Sequence, residues 1–192
     1  MLVDLASAPC LVVGGGTVAT GKVRGLLAVD ACVTVVAPDL SPALAALVDA
    51  AAVEWSAGRY APSQAAQGWR FVIAATDDRA TNALVVADAA SVGIWANDAS
   101  APDGGPAALP AVHRSGPVTL AVATGGAHPG AAGWLRDLAA TAIGPEHVAV
   151  VALAAEVRAE SGDPGSRSRR PDWQAAVDSG MLDLIRTGRQ AE

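Results

Sequence analysis

Cys10-Leu11-Val12-Val13-Gly14-Gly15-Gly16-Thr17-Val18-Ala19 is the stretch that decides the fold. An apolar run ends in three glycines, and a segment with helical character follows at once. Read as G-x-G-x-x-A, the motif uses Gly14, Gly16 and Ala19. Gly14 permits a tight turn after the strand. Gly16 carries no side chain to block a pyrophosphate, and Ala19 is small enough for the helix to lie against the strand. Gly15, Thr17 and Val18 complete the turn. Phosphates would sit over the helix N-terminus, where unpaired N–H groups and the positive end of the dipole face them. A strand–helix turn without any ligand would share this local pattern. Context separates the two: a strand-like run precedes the glycines, and a second strand follows the helix at the right distance. The fold class is α/β, a Rossmann-type doubly wound parallel sheet.

Working outward, Thr17–Val29 reads as the first helix, with Val18, Leu26 and Leu27 as apolar contacts and Lys22 and Arg24 facing solvent. Cys32–Ala37 is β-branched and nearly all apolar, as buried parallel strands are. Pro38 and Asp39 end it. Asp39 lies about twenty residues past the glycines, where an acidic side chain takes the ribose hydroxyls of NAD. No arginine stands beside it for a 2′-phosphate, which favours NAD over NADP. Asp39 also fits a helix start, with Ser41 as N-cap and Pro42 at the first helical position. The second helix spans Pro42–Ala52, and a short third strand, near an edge, covers Val53–Trp55. Arg59 and Tyr60 read as rim residues, and 61–68 as a loop that can hold a short helix.

Phe71-Val72-Ile73-Ala74-Ala75-Thr76-Asp77-Asp78 is a buried strand ending in small and polar residues. Such a strand end faces the cofactor crevice of a doubly wound sheet. Ala75 lets backbone approach a ligand, Thr76 offers a hydrogen bond, and Asp77 or Asp78 can cap the next helix, Thr81–Ser91. Val92–Asn97 is a further strand, and the loop 98–106 follows its carboxyl end. Ala108–Val112 and Val118–Ala123 read as two strands joined by His113-Arg114-Ser115-Gly116-Pro117, a hairpin-like pair or a crossover that closes the sheet. Thr124-Gly125-Gly126-Ala127-His128-Pro129-Gly130 is a second glycine-rich loop. It opens a helix over Ala131–Ile143 and offers a second anion site. Glu146–Glu160 and Trp173–Ile185 read as tail helices around a polar loop. The division is a nucleotide-binding domain (1–108), a middle region (109–144) and a helical C-terminal domain (145–192). That tail is too small to fold alone and calls for a partner surface.

The bulk numbers set outer limits. The chain has 192 residues, 52% of them hydrophobic, so a sizeable core is available. A net charge of −6 argues against nucleic acid and anionic membrane surfaces. No apolar run reaches the roughly 18 residues of a spanning helix. Met1-Leu2-Val3-Asp4 lacks the basic start of a signal peptide, so a cytoplasmic protein is expected. The two cysteines, Cys10 and Cys32, fall in the first two strands as small buried residues. No Cys/His cluster has zinc-ligand spacing, and no metal ligand is assigned.

Six segments carry a resemblance: Val12–Ala19, Val35–Asp39, Ile73–Asp78, Asn97 with Ala101-Pro102, Leu109-Pro110, and Ala121–Pro129. In this order and spacing the chain resembles the precorrin-2 dehydrogenase/sirohydrochlorin ferrochelatase family, the N-terminal module of siroheme synthase. The resemblance implies oxidation of the tetrapyrrole precorrin-2 to sirohydrochlorin with NAD. In some members ferrous iron is then inserted. It also implies a homodimer interlocked through the central region and tail, which makes 109–144 a dimerisation and substrate region. The methyltransferase module fused to some members has no counterpart in these 192 residues.

Carried over by position, Thr17, Val18, Pro38, Asp39, Thr76 and Asp77 match the family's nucleotide contacts, with Ala75 and Asn97 at the same strand ends. The family often has an aspartate between the strand-end asparagine and the Ala-Pro pair, as general base or metal-handling group. Here Ser100 holds that position and Asp98 lies two residues earlier. The departure bears more on iron insertion than on hydride transfer, which depends mainly on holding the substrate carbon against the nicotinamide. His113 offers another base. A substrate with many carboxylates calls for arginine forks and helix N-termini. Arg114, Thr124, Gly125, Gly126 and His128 are the substrate-side candidates, with Arg136, Arg167, Arg169 and Arg170 as further cations. Ser100 in place of the acid also fits a second reading, an NAD-sensing Rossmann module without chemistry. A dehydrogenase of an unrelated small substrate is a third, against which the arginine-rich second half argues.

Overall fold

A computed structural model of the chain describes residues 2–101, 105–160 and 172–188. The chain divides into two compact units, residues 1–109 and 110–192.

The first unit is a five-stranded parallel sheet. β1 (Pro9–Val13), β2 (Cys32–Ala37), β3 (Glu54–Ala57), β4 (Phe71–Ala74) and β5 (Trp95–Asp98) stand in the order β3-β2-β1-β4-β5. Alternation along each strand feeds two cores. Cys10, Val12, Val33, Val35 and Ile73 face α1 (Thr17–Leu27) and α2 (Pro42–Asp49) through Val23, Leu26 and Leu44. Leu11, Val13, Val36, Val72 and Ala74 face α3 (Arg79–Ser91) through Val85 and Ala89. Both faces are covered, which is why the central strands read as unbroken apolar runs rather than alternating ones. Each fully buried valine or leucine contributes about 1.5–3 kcal/mol.

The chain runs outward from β1 to β3, then returns to lay β4 on the other side of β1. The switch point between β1 and β4 opens a crevice at the carboxyl ends of the strands. Ser41 caps α2, accepting from Leu44 N at 3.3 Å, with Pro42 at the first helical position. The residues 64–66 form a single 3₁₀ turn inside the expected loop. The edge strand β3 lies slightly later than Val53–Trp55 and is exposed along its length. Trp55 Nε1 ties it to β2 through Ala37 O at 2.9 Å. Two expectations fail here. Val18 is 56% exposed, because it stands on the outer side of the first helical turn. Cys32 is exposed at the start of β2, whereas Cys10 is buried.

In the second unit, β6 (Ala111–Ser115) and β7 (Val118–Val122) form an antiparallel hairpin and a two-stranded sheet of their own. The connection is only Gly116-Pro117, with Gly116 at φ +52°, the positive first position that tight hairpins need. His113 and Arg114 therefore lie within β6, not in the joint. α4 (Pro129–Ala140) and α5 (Pro145–Glu160) follow. The expected last helix is two short ones, α6 (Trp173–Asp178) and α7 (Met181–Arg186). Gly180 at φ +99° breaks it, since a positive φ cannot continue a right-handed helix. Arg186 Nη2 pairs with Glu146 Oε1 at 2.6 Å and fixes α7 to the start of α5. Of the buried apolar residues described, only Ala132 lies in this unit, while Trp134 and Leu138 are more than half exposed. No single helix among the described residues is long and apolar enough to cross a membrane.

Candidate functional site: a cleft at the strand ends

A cleft of about 700 Å³ opens at the switch point of the first unit. Its floor is the glycine turn, Gly14 to Gly16, with Thr17 and Val18 at the start of α1. One wall is the end of β2, with Pro38 and Asp39; the other is the end of β4, with Ala75, Thr76 and Asp77. Ala99 and Ser100, just past β5, close the far side.

The three glycines are needed for different reasons. Gly14 sits at φ +127°, and a β-carbon there would overlap the carbonyl of Ala75. A β-carbon on Gly15 would overlap the carbonyl of Asp39. Gly16 is the N-cap of α1, and a β-carbon there would meet nothing within 4 Å. The first two glycines let three strand ends pack together. The third leaves bare backbone at a helix N-terminus, a cradle for a phosphate group. The residues therefore fit the pyrophosphate of a dinucleotide. Ala19, wholly buried, lets α1 lie on the sheet. Thr20 Oγ1 bonds Gly16 O at 2.9 Å and Ser41 Oγ at 2.8 Å, locking the two helix starts together.

The β4 side is held by a residue that sequence reasoning missed. Asn82, on α3, is fully buried. Its Oδ1 accepts from Thr76 N at 3.0 Å and Thr76 Oγ1 at 2.7 Å. Its Nδ2 donates to Thr76 O and to Ser100 Oγ, both at 3.1 Å. Ser100 in turn bonds the carboxylate of Asp98, Oγ to Oδ1 at 2.6 Å and N to Oδ1 at 2.8 Å. Asp98 itself is buried behind Ser100. An asparagine four residues after an N-cap aspartate was the only sequence signal, and it reads equally as a helix surface residue. Asp78 is the cap of α3, accepting from Ala80 N at 3.1 Å and Thr81 N at 3.2 Å. The Thr81 hydroxyl and these two amides hold its carboxyl below its ordinary value of 3.8.

Arg59 and Tyr60 also line the cleft, and among the described residues Arg59 is the one cationic side chain that does. Tyr60 OH donates to Asp88 Oδ2 at 2.7 Å, pinning this loop to α3. Burial, with Asp88 beside it, pushes its phenol up to about 12.

Other candidates lie elsewhere. Asn97 does not line the cleft; its Nδ2 donates to Ala107 O at 2.9 Å, holding the loop after β5. His113, Arg114, Thr124, Gly125, Gly126 and His128 all belong to the second unit. Gly125 and Gly126 take positive φ in the turn before α4. His128 caps that helix, Nδ1 accepting from Ala131 N at 3.2 Å, so one of its free N–H groups is already satisfied. Arg136 pairs with Asp137 at 2.6 Å. Arg167, Arg169 and Arg170 fall outside the described residues. No group of three or more metal-ligating side chains comes together among the described residues.

A sequence family described as "Putative NAD(P)-binding" matches residues 1–111. The chain belongs to this NAD(P)-binding family. Beyond it, the NAD(P)-binding chain is 39% identical over 170 residues to siroheme synthase 3 of Aeromonas hydrophila subsp. hydrophila, covering 86% of this chain and 36% of that one. It is 35% identical over 191 residues to the siroheme synthase of Methylococcus capsulatus, covering 98% and 40%. The chain thus spans about two fifths of the length of these relatives. A solved structure titled SirC, precorrin-2 dehydrogenase, superposes with a TM-score of 0.78 at 24% identity, over all of this chain and 96% of that one. That likeness establishes the α/β fold across the chain.

Proposed function

We propose that the protein binds NAD in the cleft of its first unit and oxidises precorrin-2 to sirohydrochlorin. The observation that carries this reading is a cleft with a glycine cradle at its floor and a buried carboxylate–hydroxyl pair at its far side. The matched relatives, named siroheme synthases, and the solved precorrin-2 dehydrogenase support the substrate.

Asp39, at the end of β2, accepts hydroxyls of the adenosine ribose. The bare backbone from Gly14 to Gly16 takes the pyrophosphate. Ala75 and Thr76 would hold the nicotinamide half in the same cleft that Ser100 lines. The bound cofactor supplies the hydride acceptor. The chain's residues hold the tetrapyrrole carbon against it and receive the proton that oxidation releases.

In the second unit, Arg114 and the loop Thr124–His128 are substrate-side contacts, with His113 as a further base. The exposed Trp134 and Leu138 of α4 pack against a second copy, giving a homodimer that works in the cytoplasm. Ferrous iron is the substrate of a second step only if insertion into sirohydrochlorin runs faster with the protein than without it, which would show that Ser100 does not abolish chelation.

The experiment is a spectrophotometric assay of purified protein with precorrin-2 and NAD⁺, followed by sirohydrochlorin and ferrous iron. NADH formation in the first step is the expected result. Tight NAD⁺ binding with no turnover would instead identify an NAD-sensing module. Light scattering after size exclusion tests the dimer, whose expected mass is twice 19.1 kDa.

A further inference from the structure

Asn82 fixes the direction of every proton around Ser100. Thr76 N can only donate, so the amide atom facing it at 3.0 Å is Oδ1. The atom facing Ser100 Oγ at 3.1 Å is then Nδ2, which can only donate. Ser100 Oγ accepts there, and its one proton goes to Asp98 Oδ1 at 2.6 Å. Asp98 is 8% exposed, and its Oδ1 is also held by Ser100 N. One lone pair of Ser100 Oγ remains, on a side chain that lines the cleft. Both Asn82 donors are filled and Thr76 N holds its Oδ1, so the amide has no flipped arrangement to adopt.

The geometry points to a proton relay in which Ser100 takes a proton from the tetrapyrrole while its own proton passes to the Asp98 carboxylate, with Asn82 as the positioning residue. The inference rests on the proposed oxidation. In that reaction the substrate loses one hydrogen as hydride to the nicotinamide ring and a second as a proton. The substrate's X–H bond breaks, and its electron pair stays behind as part of the new double bond. A Ser100 O–H bond forms as the old one breaks, and an Asp98 O–H bond forms. The two electrons leave with the hydride. Asp98 ends neutral and returns its proton to water when the product departs.

The test compares the full chain with Asp98→Asn, Ser100→Ala, Ser100→Thr, the Asp98→Asn/Ser100→Ala double variant, and Ser100→Asp on the Asp98→Asn background. Steady-state turnover of precorrin-2 is measured beside NAD⁺ affinity by calorimetry. Asp98→Asn and Ser100→Ala are each expected to lower kcat about 100-fold, the usual scale of a general base, with KM and NAD⁺ affinity nearly unchanged. The double variant is expected to be no worse than either single one, because both remove one relay. Ser100→Thr keeps the hydroxyl and most of the activity. A carboxylate at position 100 is expected to recover about tenfold or more over Asp98→Asn alone. Near wild-type kcat in Asp98→Asn, or losses that multiply in the double variant, would overturn the relay while leaving the oxidation intact. No NADH from the wild-type protein would overturn the oxidation and the relay with it. Should Asp98→Asn not fold, the contrast between Ser100→Ala and Ser100→Thr decides the matter: equal turnover in the two overturns the relay.

Discussion

Ser41 N donates to Gly15 O at 2.8 Å, so the start of α2 is fastened to the middle of the glycine turn. The turn is therefore built from two helix starts and three strand ends, and its glycines are not equivalent. Gly15→Ala drives a methyl group into the carbonyl of Asp39 and is expected to destabilise the fold. Gly16→Ala meets nothing within 4 Å and keeps an ordinary φ of −83°. It is expected to leave the melting temperature unchanged and to weaken NAD⁺ binding about tenfold or more, since the methyl stands where a phosphate comes to rest. Calorimetric titration beside a thermal melt separates the two effects.

Asp39→Ala is expected to weaken NAD⁺ binding about tenfold, the worth of one charged hydrogen bond to a ribose hydroxyl. Asp39→Arg is expected to move the preference toward NADP⁺. Dissociation constants for the two dinucleotides, measured on both variants, check this. Unchanged selectivity would reduce Asp39 to a turn residue.

Asp78 gives the first unit an acid-sensitive point. Its carboxyl is held below 3.8 by the Thr81 hydroxyl and the amides of Ala80 and Thr81. A depressed folded value means that the stabilisation is present above the ordinary carboxylate range. It is lost as pH falls through the folded value, below 3.8. Asp78→Asn keeps a good N-cap and removes the titration. Its melting temperature is expected to fall less steeply than that of wild type between pH 5 and pH 2, roughly the span over which such a carboxylate titrates.

Asn82→Leu has similar volume and no polar atoms. It strips Thr76 N, Thr76 O and the Ser100 hydroxyl of a partner. The expected loss is about 2–3 kcal/mol in urea unfolding, the scale of a buried network left unsatisfied.

The sheet was legible because its strands are buried on both faces. Cys32–Ala37 reads as a nearly all-apolar run, and its bounds come out as expected. The cap of α2 was legible from Ser41-Pro42 for an equally local reason. Residues 108–115 were not: an apolar run followed by Ser-Gly-Pro does not say where pairing begins. Tertiary pairing with Val118–Val122 draws His113 and Arg114 into the strand. Asn82 was invisible because its role depends on the end of β4, α3 and the loop after β5 meeting, and Ser100 lies 18 residues further along the chain. Arg59 was placed at the rim because nothing near it in sequence reveals that its loop folds back over the cleft.

The two thiols turn the sheet into its own clock. Cys32 is exposed at the start of β2 and will be alkylated as soon as reagent is added. Cys10 lies buried in β1 between β2 and β4, and burial pushes its thiol up to about 11. Its reaction must wait for the middle of the sheet to part. The second labelling event, followed by mass spectrometry, therefore reports how often the central strand comes free. A nucleotide seated at the end of that strand should slow it in proportion to its occupancy.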